Sequence, residues 1–531
     1  MEESAFGNFI KQNMVKSTFF NLDIQNVVKT ALYGPVDKSL KNRIHHGIIS
    51  QKEAISMMGR KESQLQLALI DAESFVPENH LLKKINQQVD FKFIYDKAAP
   101  YYSKIGRPSI DPVCMIKMLI VGYLYGVKSE RRLVEDISLN IAYRWFCGFE
   151  LSDKIPNHSL FSQNRRRRFT DSSIFNEIFN QIIRECVKKG LVTGDAVVSD
   201  GSFIPADISE DSLVEINKKV EQSTVHYLDA LDDELRSLPG YKEPEPEITE
   251  KRIITSTTDP ESGYINHEHK KGLGYLTQMT TDTDNGIVIG VDCYPANQRE
   301  SSILLKHITR IQTETDVTID KLGLDAGYDV GAIHRGLELM GIEGYVSPKQ
   351  LHNDILKRDL KYKPESDCFE CPGGKKLSFI KLGYTKPTQS YYRTYRMSLQ
   401  DRKTCRKCKH RSECQFSYCY PRINVSAFYP AYYSNRQRSE TAEYESMKRL
   451  RSIWAEGAFA VLKREHNLSR TKKRGLQRVK EEFLLAALAL NLKRMVKVLD
   501  RHKNWHKNWH KTKHVFWLFN SFFRIPAGCA A

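Results

Sequence analysis

Asp195-Ala196-Val197-Val198-Ser199-Asp200-Gly201-Ser202 is where the chain changes from helical to extended periodicity. Ala196 to Ser199 reads as a strand ending at Asp200, which puts a carboxylate at the strand's C-terminal edge. Leu322-Gly323-Leu324-Asp325-Ala326-Gly327 repeats that arrangement further on. A third acid, in Trp454-Ala455-Glu456-Gly457, lies inside a basic amphipathic helix. Asp200 and Asp325 fall at the sheet edge where open α/β folds place ligands. Two hard oxygen donors on a sheet and a third on a packed helix make the donor set of magnesium-assisted phosphodiester chemistry.

Working outward, Asp284-Asn285-Gly286 is a hairpin turn signal between alternating runs at Leu276–Met279 and Ile287–Val291. A helix over about 301–313, the strand ending at Asp325, a helix over about 330–340 and a strand at 344–346 follow. Strand, hairpin, helix, strand, helix, strand predicts a mixed α/β core. Asp207 to Pro260 is acidic and Pro-rich, helical in part, and reads as an insertion. Before the core, residues 77–190 are helical. Ile116, Leu119, Ile120, Tyr123 and Leu124 keep helical spacing, Ser129 caps the next helix, and Asn157 opens the one carrying Arg165-Arg166-Arg167-Arg168. After the core, periodicity resumes over 439–465, with Ile453, Phe459, Ala460 and Leu462 as its buried stripe, and over 476–499. The near-duplicate His502-Lys503-Asn504-Trp505 and His506-Lys507-Asn508-Trp509 belongs to a basic, aromatic tail.

A net charge of +17, from 81 Lys and Arg against 64 Asp and Glu, points to nucleic acid as partner rather than an acidic small molecule. The N-terminus carries no secretory pattern, and the longest apolar runs fall short of the ~20 residues of a membrane span. The expected location is therefore cytoplasmic, nucleoid-associated when bound to DNA, with no membrane partner. Eleven cysteines in that compartment are not a disulfide framework. Cys405-Arg406-Lys407-Cys408 with Cys414, and the earlier pair Cys368 and Cys371, suit tetrahedral zinc.

The blocks Phe75-Val76-Pro77-Glu78-Asn79-His80-Leu81-Leu82, Gly106-Arg107-Pro108-Ser109-Ile110-Asp111-Pro112, Gly122-Tyr123-Leu124-Tyr125-Gly126, Ser129-Glu130-Arg131-Arg132-Leu133 and Pro156-Asn157-His158-Ser159 occur in order. Asp200-Gly201-Ser202, Asp325-Ala326-Gly327-Tyr328-Asp329 and Glu456-Gly457-Ala458-Phe459-Ala460-Val461-Leu462-Lys463 follow them, with Arg474-Gly475-Leu476 and Ala489-Leu490-Asn491-Leu492 behind. Together they resemble a bacterial insertion-sequence transposase of the DDE class, over about residues 75–500. The resemblance implies a ribonuclease H-like catalytic core with an N-terminal all-helical DNA-binding domain and a cysteine-rich, zinc-ribbon-like insertion. Its divisions here are a variable segment at 1–74, the helical domain at 75–190, the first part of the core at 191–348 (acidic insertion about 207–260), the cysteine-rich insertion at 349–430, the C-terminal helical part of the core at 431–500 and the tail at 501–531.

It further implies that Asp200, Asp325 and Glu456 are catalytic and hold two Mg²⁺ or Mn²⁺ ions. Cys371, Cys405, Cys408 and Cys414 would hold a structural Zn²⁺, with Cys368 or Cys419 as a replacement for one of them. Related enzymes place a tyrosine and an arginine at set distances before the glutamate, and Tyr444, Arg449 and Arg451 are the residues in range. The implied activity is binding of terminal inverted repeats, cleavage of the element ends and strand transfer into target DNA, by a homodimer or higher oligomer on double-stranded DNA. Arg131, Arg132 and Arg165 to Arg168 are expected at phosphates of the element ends. Lys463, Arg470, Lys472, Lys473 and Arg474 are expected on the catalytic side. The competing expectation is an inactive or domesticated zinc-containing DNA-binding protein, and a third is a nuclease without strand transfer.

Overall fold

The computed structural model describes residues 71–522 apart from 107–108, 171, 223–224, 268–269, 350–359, 387, 406, 412–413 and 415–420. Cys419, the segment before residue 71 and residues 523–531 lie outside the described residues.

The first quarter of the described chain is helical: α1 (Leu81–Gln88), α2 (Phe93–Ala98), α3 (Pro112–Leu124), α4 (Glu130–Leu139), α5 (Ile141–Cys147), α6 (His158–Phe169) and α7 (Ile174–Lys188). Side chains that bond exposed backbone N–H groups set several of the starts. Ser129 Oγ accepts from Arg132 N at 3.2 Å, and Asn157 Oδ1 from Ser159 N at 2.9 Å, both where the sequence predicts a cap.

The following part is built on a mixed sheet. Its strands are β1 (Ala196–Pro205), β4 (Gly263–His267), β5 (Lys270–Asp282), β6 (Val288–Pro295), β7 (Lys321–Leu324) and β8 (Glu343–Val346). The order across it is β6-β5-β1-β7-β8; β5 is antiparallel to β1 and β6, whereas β1, β7 and β8 run parallel. β4 pairs the first stretch of β5. α9 (Glu300–Thr315) and α10 (Gly331–Leu339) make the two crossovers. The mixed α/β class and the strand–hairpin–helix–strand–helix–strand order are as the sequence predicts. One expectation fails: β1 does not end at Asp200 but continues to Pro205. It stays extended because its antiparallel partner persists, Asp200 facing Met279 and Pro205 facing Gly274, after its parallel partner has stopped.

The acidic insertion is chiefly a two-stranded ribbon, β2 (Leu213–Gln222) with β3 (Glu247–Ser256), around α8 (Asp229–Ser237). The cysteine-bearing stretch forms an antiparallel sheet in the order β13-β12-β11-β10-β9: β9 (Lys361–Lys363), β10 (Cys368–Glu370), β11 (Lys376–Thr385), β12 (Ser390–Met397) and β13 (Arg422–Ser426). α11 (Leu399–Cys405) lies between the last two. α12 (Tyr429–Arg438), α13 (Ala442–Arg451), α14 (Gly457–Glu465) and α15 (Leu476–Phe522) complete the chain.

α15 is the spine. Phe483 to Leu492 is buried without a break, so this part of the helix is apolar all round. It packs on α1, α3, α7 and β6, and a single buried cluster runs from Leu82 in α1 to Val498 in α15 through the sheet. The N-terminal helices thus share their core with the mixed sheet. The one polar intrusion, Asn491, is satisfied in both directions: its amide accepts from Val288 N at 2.8 Å and donates to Val288 O at 2.7 Å. Among the described residues no helix is long and apolar enough to cross a membrane.

Candidate active site

In the parallel pairing of β1 with β7, Val198 faces Gly323. Carried two residues further, that register sets Asp200 level with Asp325, which follows β7 directly. Strands in a sheet lie ~4.8 Å apart, and alternate residues share a face. Asp200 and Ser202 therefore project on the face of Val198. Val198 packs against Tyr444, Met447 and Ala455, so α13 and the turn after it cover that same face. Strand register and helix docking bring two sequence-distant aspartates beneath the segment that carries Glu456.

Glu456 itself is placed by a π-helical turn over Ser452–Glu456, between α13 and α14. In an α-helix residues four apart align; a π turn aligns residues five apart. Arg451 and Glu456 accordingly meet, Nη2 to Oε1 at 3.0 Å, and Arg451 Nη1 lies 3.7 Å from Asp200 Oδ2. Of the three upstream residues in range, Arg451 is the one that reaches the acids; Tyr444 is in the core and Arg449 is exposed. The same extra residue shifts the helix phase. Phe459 and Leu462 are buried as expected, but Ile453 and Ala460 are exposed, and Ala455 and Ala458 take their places.

Burial, followed by the charge of Asp325, pushes the Asp200 carboxyl up to about 6, against the pull of Arg451 and the Gly201 N–H; Glu456 adds to the upward push. Asp200 Oδ1 accepts from Gly201 N at 2.9 Å and Asp325 Oδ1 from Gly327 N at 2.8 Å, which fixes one oxygen of each. Glu456 is the open member, its side chain 52% exposed against 16% for Asp200. Lys463 Nζ donates to Ser202 Oγ at 2.9 Å and so stands over β1 two residues from Asp200. Sequence reasoning missed a fourth carboxylate. Glu300, the first residue of α9, lies where a Cβ on Gly201 would come within 2.9 Å of its Oε1 and one on Gly327 within 3.4 Å of its Oε2. Burial and then Glu300, Asp200 and Asp325 together push the Tyr328 hydroxyl upward. No local motif marks Glu300; only its place at the helix after β6 could have.

Among the described residues no group of three or more His, Cys, Asp or Glu side chains is close enough to hold a metal ion as it stands. Arg451 lies between Asp200 and Glu456 and supplies the counter-charge that crowded carboxylates need. The donors are all carboxylate oxygens, which fit Mg²⁺ or Mn²⁺ and not a thiophilic ion.

The cysteines gather at one end of the antiparallel sheet. A Cβ on Gly373 would lie 3.0 Å from Cys408 Sγ and 3.8 Å from Cys371 Sγ. Burial, then Cys371, Cys408 and Cys414, push the Cys405 thiol up, so these three thiols lie within electrostatic reach of Cys405. Cys368 is turned instead toward Ser366, its Sγ 3.1 Å from the hydroxyl, and is buried.

Two family models match the chain. One, described as a transposase domain (DUF772), covers residues 70–167; the other, described as a transposase DDE domain, covers residues 370–496. The chain carries the domains of a DDE-class transposase. The DDE match contains Glu456, Arg451, Lys463 and the four clustered cysteines, whereas Asp200 and Asp325 precede it and are joined to it by the sheet. No curated protein matches the chain. Among solved structures it is similar to a piggyBac transposase synaptic complex with hairpin DNA, at 8% identity and TM-score 0.32, over 80% of this chain and 75% of that one. It is also similar to the Mos1 mariner paired-end complex with Mn, at 9% identity and TM-score 0.14, over 60% of this chain and 71% of that one.

The basic residues expected at DNA divide in two. Arg131 and Arg167 are exposed, and Arg132 pairs with Asp136 at 2.8 Å on an exposed helix face. Arg166 donates to Ser162 Oγ at 3.2 Å, also at the surface. The others hold the fold together. Arg165 pairs with Glu130 at 2.6 Å and Lys473 with Glu481 at 2.8 Å, their side chains only 12% and 14% exposed. Arg168 donates to Tyr101 O and lies over the Tyr102 ring. Arg470 donates to the carbonyls of Ala206 and Ile208, and Arg474 to that of Asp207. Arg165 and Arg168, expected at phosphates, and Lys473, expected on the catalytic side, are thus each engaged by an acid or a carbonyl of the chain itself.

The crowded acids have a stability consequence. With the folded Asp200 carboxyl near 6 and the unfolded one near ~3.9, a proton is taken up on folding between those values, and above pH 6 the charged form costs stability. Asp200→Asn is therefore expected to stabilise the cation-free protein at pH 8, by up to about 3 kcal/mol, and to leave it nearly unchanged at pH 4. Melting temperatures at the two pH values check this; equal shifts at both would remove the electrostatic explanation.

Proposed function

We propose that this transposase has a ribonuclease H-like core in which Asp200, Asp325 and Glu456 hold two Mg²⁺ or Mn²⁺ ions, and that it cuts DNA at the terminal inverted repeats of its element and joins the ends to target DNA. The observation that carries the proposal is the register placing Asp200 level with Asp325 on neighbouring parallel strands, with Arg451 linking Asp200 to Glu456. Paired divalent ions supply charge stabilisation at the attacking and leaving oxygens of an in-line phosphodiester displacement. The chain's own part is positioning. β1 and β7 fix the aspartates on a rigid sheet, and the Gly201 and Gly327 N–H groups orient one oxygen of each. Glu456 is free of tight packing and can swing from Arg451 as a cation enters, which leaves the guanidinium available to a phosphate oxygen. Lys463, over Ser202, provides a second cationic contact beside the acids. Exposed arginines on α4 and α6 track the duplex at the element ends, with the protein acting as a dimer or larger assembly on DNA. The test is cleavage of a duplex bearing the element's flanking repeats, with and without Mg²⁺, in wild type and in the single neutralising variants.

The cysteine cluster adds a second element to the proposal: Cys371, Cys405, Cys408 and Cys414 hold one structural Zn²⁺ that ties α11 to the β9–β13 sheet. Four soft donors with no open position give a closed, non-catalytic site. Metal analysis of the purified protein is expected to find about one zinc per chain, lost in Cys408→Ser and retained in Cys368→Ser. Zinc retained in Cys408→Ser would exclude that ligand.

A further inference from the structure

The molecule contains a cavity of ≈ 320 Å³ that the proposed cleavage chemistry does not use; it lies between α3, α4, α6 and the start of α15. Its lining is divided by depth. Two acceptor-bearing side chains line it from within the core, Glu482 fully buried and His466 1% exposed. Each has an atom with no hydrogen-bond partner, Glu482 Oε1 and His466 Nε2. The other oxygen of Glu482 accepts from Lys472 N at 3.0 Å. His466 Nδ1 lies 2.7 Å from Tyr123 O, a carbonyl that can only accept, so the proton is on Nδ1 and Nε2 presents its lone pair. Burial, with Lys493 next, lowers this imidazole to about 4, which keeps it neutral. Arg165 and Lys473 also line the cavity but are held by Glu130 and Glu481, so Glu482 Oε1 and His466 Nε2 remain buried acceptors that an incoming N–H or O–H donor would satisfy.

The exposed part of the lining is different. Lys128 and Lys472 line the cavity and are exposed, whereas Leu119, Val127 and Leu133 give apolar contact. A simple anion satisfies the lysines and is repelled by the acceptors. Water alone, at ~30 Å³ per molecule, would need roughly ten molecules to fill the space and would leave the apolar wall unmatched. The chemistry that meets every part is a flat heterocycle with exocyclic N–H donors going in, apolar faces against the leucines and valine, and a phosphate at the lysines.

We propose that this cavity binds a nucleoside 5′-phosphate unit with an amino-bearing base. Glu482 and His466 take the base's N–H groups and Lys128 and Lys472 its phosphate. A carboxylate accepting from an amino group is the pairing that reads cytosine N4; thymine has no such group. Glu456 and His466 bracket α14, ten residues and thus ~15 Å apart along the helix. That spacing lets an unpaired nucleotide of a bound strand reach the cavity while the strand lies at the acids. In that form the inference rests on the DNA-processing proposal above.

Calorimetric titration of the full chain at low salt with dCMP, dGMP, dTMP and deoxyribose 5-phosphate tests it. Saturable one-to-one binding of dCMP or dGMP is expected, at least tenfold tighter than dTMP or the sugar phosphate. Glu482→Gln should remove that preference. Lys472→Ala, a surface change that leaves the fold intact, should weaken all nucleotides about tenfold while keeping the preference. A duplex with an unpaired 3′ cytidine, compared with a blunt one, separates a strand-borne source from free nucleotide: preference for the overhang assigns the cavity to DNA, and none assigns it to free nucleotide. No saturable binding of any nucleotide, or equal binding of dTMP, dCMP and the sugar phosphate, overturns the proposal. Glu456→Gln should leave dCMP binding unchanged. Lost nucleotide binding with intact DNA cleavage thus removes this site alone, and the reverse pattern removes the catalytic assignment alone.

Discussion

Asp325→Asn is expected to leave a folded, DNA-binding protein whose end cleavage in Mg²⁺ is lower by on the order of 10³-fold or more. The substitution keeps the size of the side chain and an oxygen able to accept from Gly327 N, so the turn after β7 survives. What it removes is a negative charge beside Asp200 and one hard donor. Because cation affinity depends on the summed charge of the site, one neutralisation acts on every donor at once. Asp200→Asn and Glu456→Gln should match it within about tenfold, since residues that act as a unit lose their effect together. A variant that cuts at the wild-type rate removes its residue from the mechanism.

The second large effect is expected far from the acids in sequence. Gly286 closes the β5–β6 hairpin with φ near +71°, a conformation that only glycine adopts without strain, and a Cβ there would overlap the Trp454 ring. Trp454 lies in the π turn two residues before Glu456, with the Arg494 guanidinium 5.5 Å from its ring centre. Arg494 also donates to Gly286 O, so hairpin, indole and α15 clamp the turn that carries the third acid. Gly286→Val should destabilise the fold by about 2–4 kcal/mol from backbone strain plus overpacking. It should also reduce cleavage roughly a hundredfold at temperatures well below the melt, because the displaced indole moves Glu456. Trp454→Phe, which relieves the overlap, should restore part of the activity to Gly286→Val. A Gly286→Val protein that melts and cuts like the wild type would show that the clamp does not position the acid.

How much of this was legible in the sequence follows from which interactions are local. The hairpin at Asp284-Asn285-Gly286, the caps at Ser129 and Asn157 and the crossover helices are written in short-range chemistry, and they fall where expected. The length of β1 is not local, since only its partner β5 keeps it extended past Asp200. The π turn is likewise invisible in a periodic pattern. Ile453 at helical spacing reads as core, and only the docking of Trp454 against Gly286 reveals that one residue has been added to the turn. That residue also explains why the spacing from Arg451 to Glu456 left the choice among Tyr444, Arg449 and Arg451 open. Charge is the least readable signal. Arg165 and Lys473 stand in basic runs yet pair with Glu130, 35 residues away, and Glu481, 8 residues away, and Glu300 reaches the acidic pair from a helix that carries no motif.

The central claim is that three carboxylates from β1, the end of β7 and the π turn bind divalent cations together. Mn²⁺ titration of the full chain, followed by electron paramagnetic resonance of the free ion, measures this without any cleavage step. Saturable Mn²⁺ uptake by the wild type is predicted, weakened at least tenfold by each of Asp200→Asn, Asp325→Asn and Glu456→Gln in proteins that still melt cooperatively. Mn²⁺ uptake unchanged in all three variants would contradict the account.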